Sequence, residues 1–193
     1  MMKTRWTQIV LTMIPALILL SAVSQTAGID PALLAKASGG DAASQVLVGE
    51  IYAAGKGVAQ DLKQAAEWYR RAADKGDVSG ELHMAALYRD GGKGFPRDMA
   101  QAAEWYRRAA EQGDVTAQAT LGLLYSLGQG LPKSDVEAYY WLDLAASVKG
   151  PKQEQYAANR QMIGTHITTD ELADVEERVA KWQAAHPRSA TRE

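Results

Sequence analysis

Three histidines, His83, His166 and His186, are the residues best suited to proton transfer or metal binding in this 193-residue chain, which contains no cysteine. A metal needs three or four donors brought together by characteristic short spacings. These histidines fall on separate stretches without such spacing, so no metal site is expected. A serine nucleophile needs a nearby His and a third orienting group, and no such set recurs. Gly55-Lys56-Gly57, Gly92-Lys93-Gly94 and Gly128-Gln129-Gly130 have the look of phosphate-cradling loops. That chemistry requires a preceding strand, whereas each of these follows a helical pattern and recurs, so they read as turns between helices. Trp68, Trp105 and Trp141 could stack a planar ligand, but their regular recurrence on an amphipathic pattern reads as core. Arg70, Arg71, Arg107 and Arg108 read as solvated outer-face charges, with a patch for an acidic partner as the alternative. No catalytic residue and no cofactor is predicted.

Composition narrows the field further. The chain is 47% apolar and 23% charged, with a net charge of −2, which suits a globular fold rather than a disordered one. Absence of cysteine removes disulfides, thiolate metal sites and cysteine nucleophiles. The near-neutral balance argues against nucleic acid, which is gripped by strongly basic surfaces.

The elements that position these residues begin after an N-terminal address. Lys3 and Arg5 precede twelve mostly apolar residues, Ile9 to Leu20, and then Ser21-Ala22-Val23-Ser24. This order predicts a secretory signal peptide over residues 1–24, with cleavage after Ala22-x-Ser24. Twelve residues rise only ~18 Å as helix against a ~30 Å hydrocarbon core. An uncleaved anchor is the alternative. Cleavage removes two of the 21 basic residues and none of the 23 acidic ones, taking the net charge from −2 to −4. The expected location is periplasmic or secreted, with membrane contact only through an uncleaved N-terminus.

Internal repetition organises the remainder. Ala66-Glu67-Trp68-Tyr69-Arg70-Arg71-Ala72-Ala73 recurs unchanged at Ala103 to Ala110, and Tyr139 to Ala146 is a looser third copy. Gly49-x-x-Tyr52, Ala85-x-x-Tyr88 and Gly122-x-x-Tyr125 precede them with the same period. Asp41, Asp77 and Asp114 are placed to cap a first helix in each unit, and Asp61, Asp98 and Ser134 a second. Gly40, Gly76 and Gly113 suit the left-handed residue that ends the preceding helix. Each two-helix unit has apolar faces that it cannot bury alone, so the units must stack. The spacing predicts repeats over 41–76, 77–113 and 114–150. Asp30-Pro31 opens a short N-terminal helix. A C-terminal cap spans 151–185, its last helix begun by a Thr168/Glu171 capping box. These lie in one domain, 30–185, followed by a loose tail over 186–193.

The pattern Gly113-Asp114-x-x-Ala117-Gln118-x-x-Leu121-Gly122-x-x-Tyr125-x-x-Gly128-x-Gly130-Leu131, followed by Ala138-x-x-Trp141 and Ala145-Ala146, resembles the Sel-one-like repeat family, a branch of the tetratricopeptide-like solenoids. The resemblance implies an all-α, right-handed superhelix of three helix hairpins with terminal capping helices, serving as a protein-interaction scaffold. Repeat two departs at Gly80, Met84 and Ala85. A cysteine-rich exported branch with penicillin-related activity does not carry over to a chain without cysteine.

Such solenoids line their concave side with the first helix of each pair. Setting aside the positions assigned to packing leaves Val46 and Glu50 in the first unit, Leu82, Ala86 and Arg89 in the second, and Ala119 and Leu123 in the third. Tyr156 extends the stripe into the C-terminal cap. Val46, Leu82, Leu123 and Tyr156 would form an apolar track and Glu50 and Arg89 its orienting charges, a groove for a helix or extended peptide. The predicted function is an exported, non-enzymatic scaffold binding a partner protein as adaptor, regulator or immunity protein. Two alternatives remain: a cell-wall-associated protein acting on muropeptide or β-lactam, and a structural envelope component.

Overall fold

Short acidic and hydroxyl side chains set the start of almost every helix. Asp41, Asp77 and Asp114 each accept a hydrogen bond from the backbone N–H three residues on, at 2.7–2.8 Å. Asp61 and Asp98 each accept two, and Ser134 one, at the heads of the second helices. These bonds satisfy donors that a helix start leaves free. The computed structural model describes residues 28–187. The signal-peptide reading of 1–24 and residues 188–193 of the tail lie outside the described residues.

Within that span the helices are α1 (Pro31–Ser38), α2 (Ala42–Ala54), α3 (Leu62–Ala73), α4 (Val78–Asp90), α5 (Met99–Glu111), α6 (Val115–Leu127), α7 (Asp135–Ala146), α8 (Gln153–Gly164) and α9 (Thr169–Ala185). The pairs α2/α3, α4/α5 and α6/α7 are hairpins, and α3, α5 and α7 each pack against the first helix of the next unit. The result is an all-α solenoid of helical hairpins. One device closes each hairpin: the N–H of Asp61, Asp98 or Ser134 donates to the carbonyl of Tyr52, Tyr88 or Tyr125. Another joins the units. Gly40, Gly76 and Gly113 have φ between 80° and 99°, a left-handed turn that lets the following Asp N–H return to a carbonyl of the preceding helix.

Small residues decide how closely helices approach. A Cβ on Gly122 would sit 2.8 Å from Leu142 Cγ and 3.0 Å from the Ala138 carbonyl, both on α7. The tryptophans expected in the core are there: Trp68, Trp105 and Trp141 are all buried. The extra loop residue in the second unit sits in a tight turn where Gly92 and Phe95 exchange two backbone hydrogen bonds.

The C-terminal cap differs from a simple polar lid. α8 continues the stack, but α9 lies against α7. Val175 and Val179 enter the core cluster that holds Tyr140, Trp141 and Leu144, and Trp182 covers the Gly113 turn. Arg178 pairs with Glu137 at 2.8 Å and lies 4.4 Å over the Tyr140 ring. The apolar spacing Val175-Val179-Trp182 is what draws the helix back onto α7.

One buried polar position varies between units. Gln45 and Gln118 are buried and donate through Nε2 to the carbonyls of Ala37 and Ala110, the ends of the preceding helices. The second unit places Glu81 there, buried and accepting from Gln112 at 2.7 Å. An ionised carboxylate cannot donate to the Ala73 carbonyl as Gln would. Burial therefore pushes the Glu81 carboxyl above the ordinary glutamate range, only partly opposed by the Gln112 bond. The folded form prefers the proton, so its ionisation weakens folding as pH rises from the ordinary range through the raised value. Above the raised value that cost is fully present.

Glu81→Gln is accordingly expected to raise the melting temperature at pH 7 by about 2–4 °C, one net hydrogen bond's worth in a chain this size. The gain should vanish at pH 4, where the native carboxyl is protonated; calorimetry at both values checks the sign. Gly122→Ala should lower unfolding stability by about 1–3 kcal/mol through overpacking against α7, measurable by urea denaturation.

Candidate partner-binding face

The first helices are enclosed on two sides, by their own second helix and by the helix before them, which leaves each a narrow open stripe. In α2 the exposed or half-exposed positions run Ala43, Leu47, Glu50 and Ala54; in α4, Ser79, His83, Ala86 and Asp90; in α6, Thr116, Thr120, Leu123 and Leu127. Leu47 is 49% exposed, Leu123 40% and Leu127 63%. The remaining large apolar side chains that stand exposed among the described residues are Leu34 on α1 and Met162 on α8. All five lie on α1, on the first helices α2 and α6, or on α8. The outward faces of α3 and α5 carry Glu67, Arg70, Arg71, Glu104 and Arg108 instead.

The track expected from sequence is only partly present. Val46, Ala119 and Tyr156 are buried, the first within the main core and the other two in a cluster with Ala145 and Ala146. Leu82 is half-buried against the main core, Ala86 is half-exposed and Leu123 is exposed. The open stripe thus runs through 47, 83 and 120 rather than 46, 82 and 119, one residue further round the helix. Leu47, His83, Thr120 and Leu127 stand on the open stripe and are absent from the track expected from sequence. The usable signal was that positions 46, 82 and 119 face the junction between units, so every one of them is apolar.

The two expected orienting charges are both engaged. Glu50 lies 3.2 Å from His83 Nε2, and that imidazole stacks on the Tyr69 ring at 4.5 Å. Arg89 grips Asp90 through two nitrogens at 2.7 and 2.9 Å and donates to the Tyr106 hydroxyl at 2.9 Å. Its guanidinium holds the Asp90 carboxyl below the usual carboxylate range.

Arg70, Arg71 and Arg108 are exposed on the outer face, as expected, and Arg107 is half-buried, but all four also touch a ring or a hydroxyl. Arg71 and Arg108 cover the Trp68 and Trp105 rings at 4.4 and 4.6 Å, an arrangement that shields the indole while leaving charge in water. Arg107 reaches the next unit and donates to the Tyr125 hydroxyl at 2.9 Å; Arg70 approaches Tyr88 at 3.5 Å, a much weaker contact. At the third junction the chemistry inverts, with Asp143 on α7 accepting from Arg160 on α8. No cluster of three or more His, Cys, Asp or Glu able to hold a metal occurs among the described residues. Nor is any described helix long and apolar enough to cross a membrane.

This geometry of stacked hairpins can be set beside known proteins. The family model described as Sel1 repeat matches residues 42–77, 79–114 and 115–147, one match per hairpin. The chain is a Sel1 repeat protein. Its matched units coincide with α2/α3, α4/α5 and α6/α7, while α1, α8 and α9 lie outside them. A crystal structure of a Sel1 repeat protein from Oxalobacter formigenes is similar at 32% identity and a TM-score of 0.57, over 64% of this chain and 92% of that one. A second similar structure is c5321, a protective antigen of uropathogenic Escherichia coli with an SLR fold. It shares 20% identity and a TM-score of 0.42, over 83% of this chain and 51% of that one. No curated protein matches this chain. Sel1 repeats generally act as non-catalytic scaffolds for protein–protein interaction.

The inter-repeat arginines give a discriminating prediction. Tyr125→Phe should lower stability by about 1 kcal/mol by removing the hydroxyl that Arg107 Nη2 donates to across the junction, its pair with Glu104 remaining. Tyr88→Phe should change little, because its contact is long and exposed. Paired urea titrations read the difference.

Proposed function

We propose that this Sel1 repeat protein is an exported scaffold that holds a partner protein against the open faces of its first helices, along a concave groove. The observation that carries this reading is the asymmetry of the surface. Exposed large apolar side chains fall on α1, α2, α6 and α8, and the second helices present charge and arginine-covered indoles. An apolar strip left open on one side of a solenoid is suited to receive another polypeptide. Leu47, Leu123 and Leu127 are its aliphatic contacts, with Glu50, His83 and Asp90 as polar neighbours that would fix register. Export rests on Lys3, Arg5 and the apolar run that follows. Adaptor, regulator and immunity protein are all roles that such binding serves, and the acidic balance favours a basic partner through steering.

Photo-crosslinking residues placed at Leu47 and Leu123 are expected to give the same adduct in envelope fractions, while one placed at Arg71 gives none. Leu47→Glu combined with Leu123→Glu should weaken partner binding by ~10-fold or more, since two buried leucines are lost, with helicity by circular dichroism unchanged. Equal labelling from both faces, or undiminished binding by the double variant, would count against the assignment. Mass spectrometry of the extracellular or periplasmic form should find its N-terminus at Gln25.

A further inference from the structure

Comparing the units position by position isolates a place where the first lacks a group that the second carries. In the second unit the Arg89 guanidinium donates to the Tyr106 hydroxyl. Tyr69 holds the equivalent place in the first unit, but Ala53 stands where Arg89 would be. Tyr69 is 2% exposed as a whole, and its hydroxyl, which keeps some contact with solvent, makes no hydrogen bond to the described residues. Beside it opens a cavity of about 340 Å³, lined in part by Ala53, Tyr69, His83, Leu87, Asp90 and Lys93. Its size lies at the lower end of small-ligand sites.

The surroundings define what it would accept. The stacked Tyr69 and His83 rings provide an aromatic step, 8° from parallel. Glu50 bonds His83 from one side, and its carboxylate joins burial in holding the Tyr69 phenol protonated. Asp90 supplies a second carboxylate at the lining, already paired with Arg89. Lys93 is the lining side chain with a fixed positive charge. An anionic occupant would meet Asp90 at the lining, with the Glu50 carboxylate close by against His83, and an apolar one would leave the Tyr69 hydroxyl without a partner.

We propose that this cavity receives an arginine side chain from the protein partner, whose guanidinium takes at Tyr69 the place Arg89 takes at Tyr106. Five donors in a planar fork can serve the hydroxyl and a carboxylate together while stacking on the aromatic step, which an ammonium does less well. His83, Ala86 and Asp90 both line the cavity and belong to the open stripe of the first helices, so the cavity is continuous with the face assigned to the partner. The assignment rests on the protein-binding reading of that face and deepens it.

The test uses the purified protein alone, with the peptide Ac-Gly-Arg-Gly-NH2 as probe and its citrulline analogue as the neutral isostere. Titration followed by NMR should give saturable shifts at His83, Asp90 and Gly92 with low-millimolar affinity. The citrulline peptide should bind at least tenfold more weakly. Ala53→Arg fills the cavity with the chain's own guanidinium and should abolish the shifts without lowering the melting temperature. Tyr69→Phe, which removes only the hydroxyl, should weaken the probe several-fold while leaving the remaining spectrum in place. Equal response to both peptides overturns the proposal, as does Ala53→Arg titrating like the wild type. Either result, with crosslinking at Leu123 intact, removes the arginine site and leaves the scaffold reading standing. Loss of the crosslink would instead strike the scaffold reading itself.

Discussion

The first helix of each hairpin is held between its own partner and the helix that precedes it in the chain, α1 for the first unit and a second helix for the others, and this double burial constrains everything around it. Two backbones cannot both approach a helix closely unless the facing positions are small. The small sites are 44, 80 and 117 toward one side and 49, 85 and 122 toward the other. In the first and third units glycine stands at the second site, where a Cβ would strike Tyr69 on α3 or Leu142 on α7. In the second unit glycine has moved to position 80, where a Cβ would lie 2.8–2.9 Å from the Ala72–Ala73 end of α3. The closest approach therefore falls within the hairpin for α2 and α6, but across the junction for α4. Gly80 and Ala85, which depart from the family pattern, are one compensated exchange rather than two separate substitutions.

The same enclosure explains why polar groups at the junctions are so specific. A buried donor or acceptor between units must find its partner within the stack or go without. Gln45 and Gln118 use one end of their amides on helix-end carbonyls, and their Oε1 atoms find no protein partner. Glu81 breaks the pattern and recruits Gln112. Arginine–tyrosine contacts join units one, two and three, while an aspartate–arginine pair joins the third to α8. The apolar frame repeats closely and the polar fastenings do not. Individual units can therefore acquire different surface chemistry without altering the stack.

Much of this architecture was legible in the residues. Helix starts could be placed because Asp, Ser and Thr caps act on backbone groups two or three residues away, and such local chemistry needs no tertiary knowledge. The turns at Gly40, Gly76 and Gly113 were legible for the same reason. The faces of α3 and α5 were also clear, since Trp, Tyr and Ala alternate sharply with Glu and Arg at helical spacing. The open stripe of α2 and α6 was not. Ala42-Ala43-Ser44-Gln45-Val46-Leu47-Val48 offers small or apolar residues around the whole helix, so its rotation depends on which neighbours enclose it. That is how Val46 stood in for Leu47. The return of α9 onto α7 was equally hidden, because Val175, Val179 and Trp182 show that a face is buried without naming its partner.

A helix buried on two sides has few surface positions through which to recognise anything, and this shapes how recognition could work. Leu47, Leu123 and Leu127 provide area but little discrimination, as aliphatic contacts tolerate many partners. Discrimination has to come from polar groups, and in this stack most are already occupied: Arg89 by Tyr106 and Asp90 of its own unit, Glu50 by His83 of the next. The Tyr69 hydroxyl stands apart because the alanine at 53 removes the donor that its counterpart enjoys. A repeat array can thus generate a specific contact by omission: deleting one fastening exposes a pre-shaped acceptor whose geometry the intact copy next door still displays.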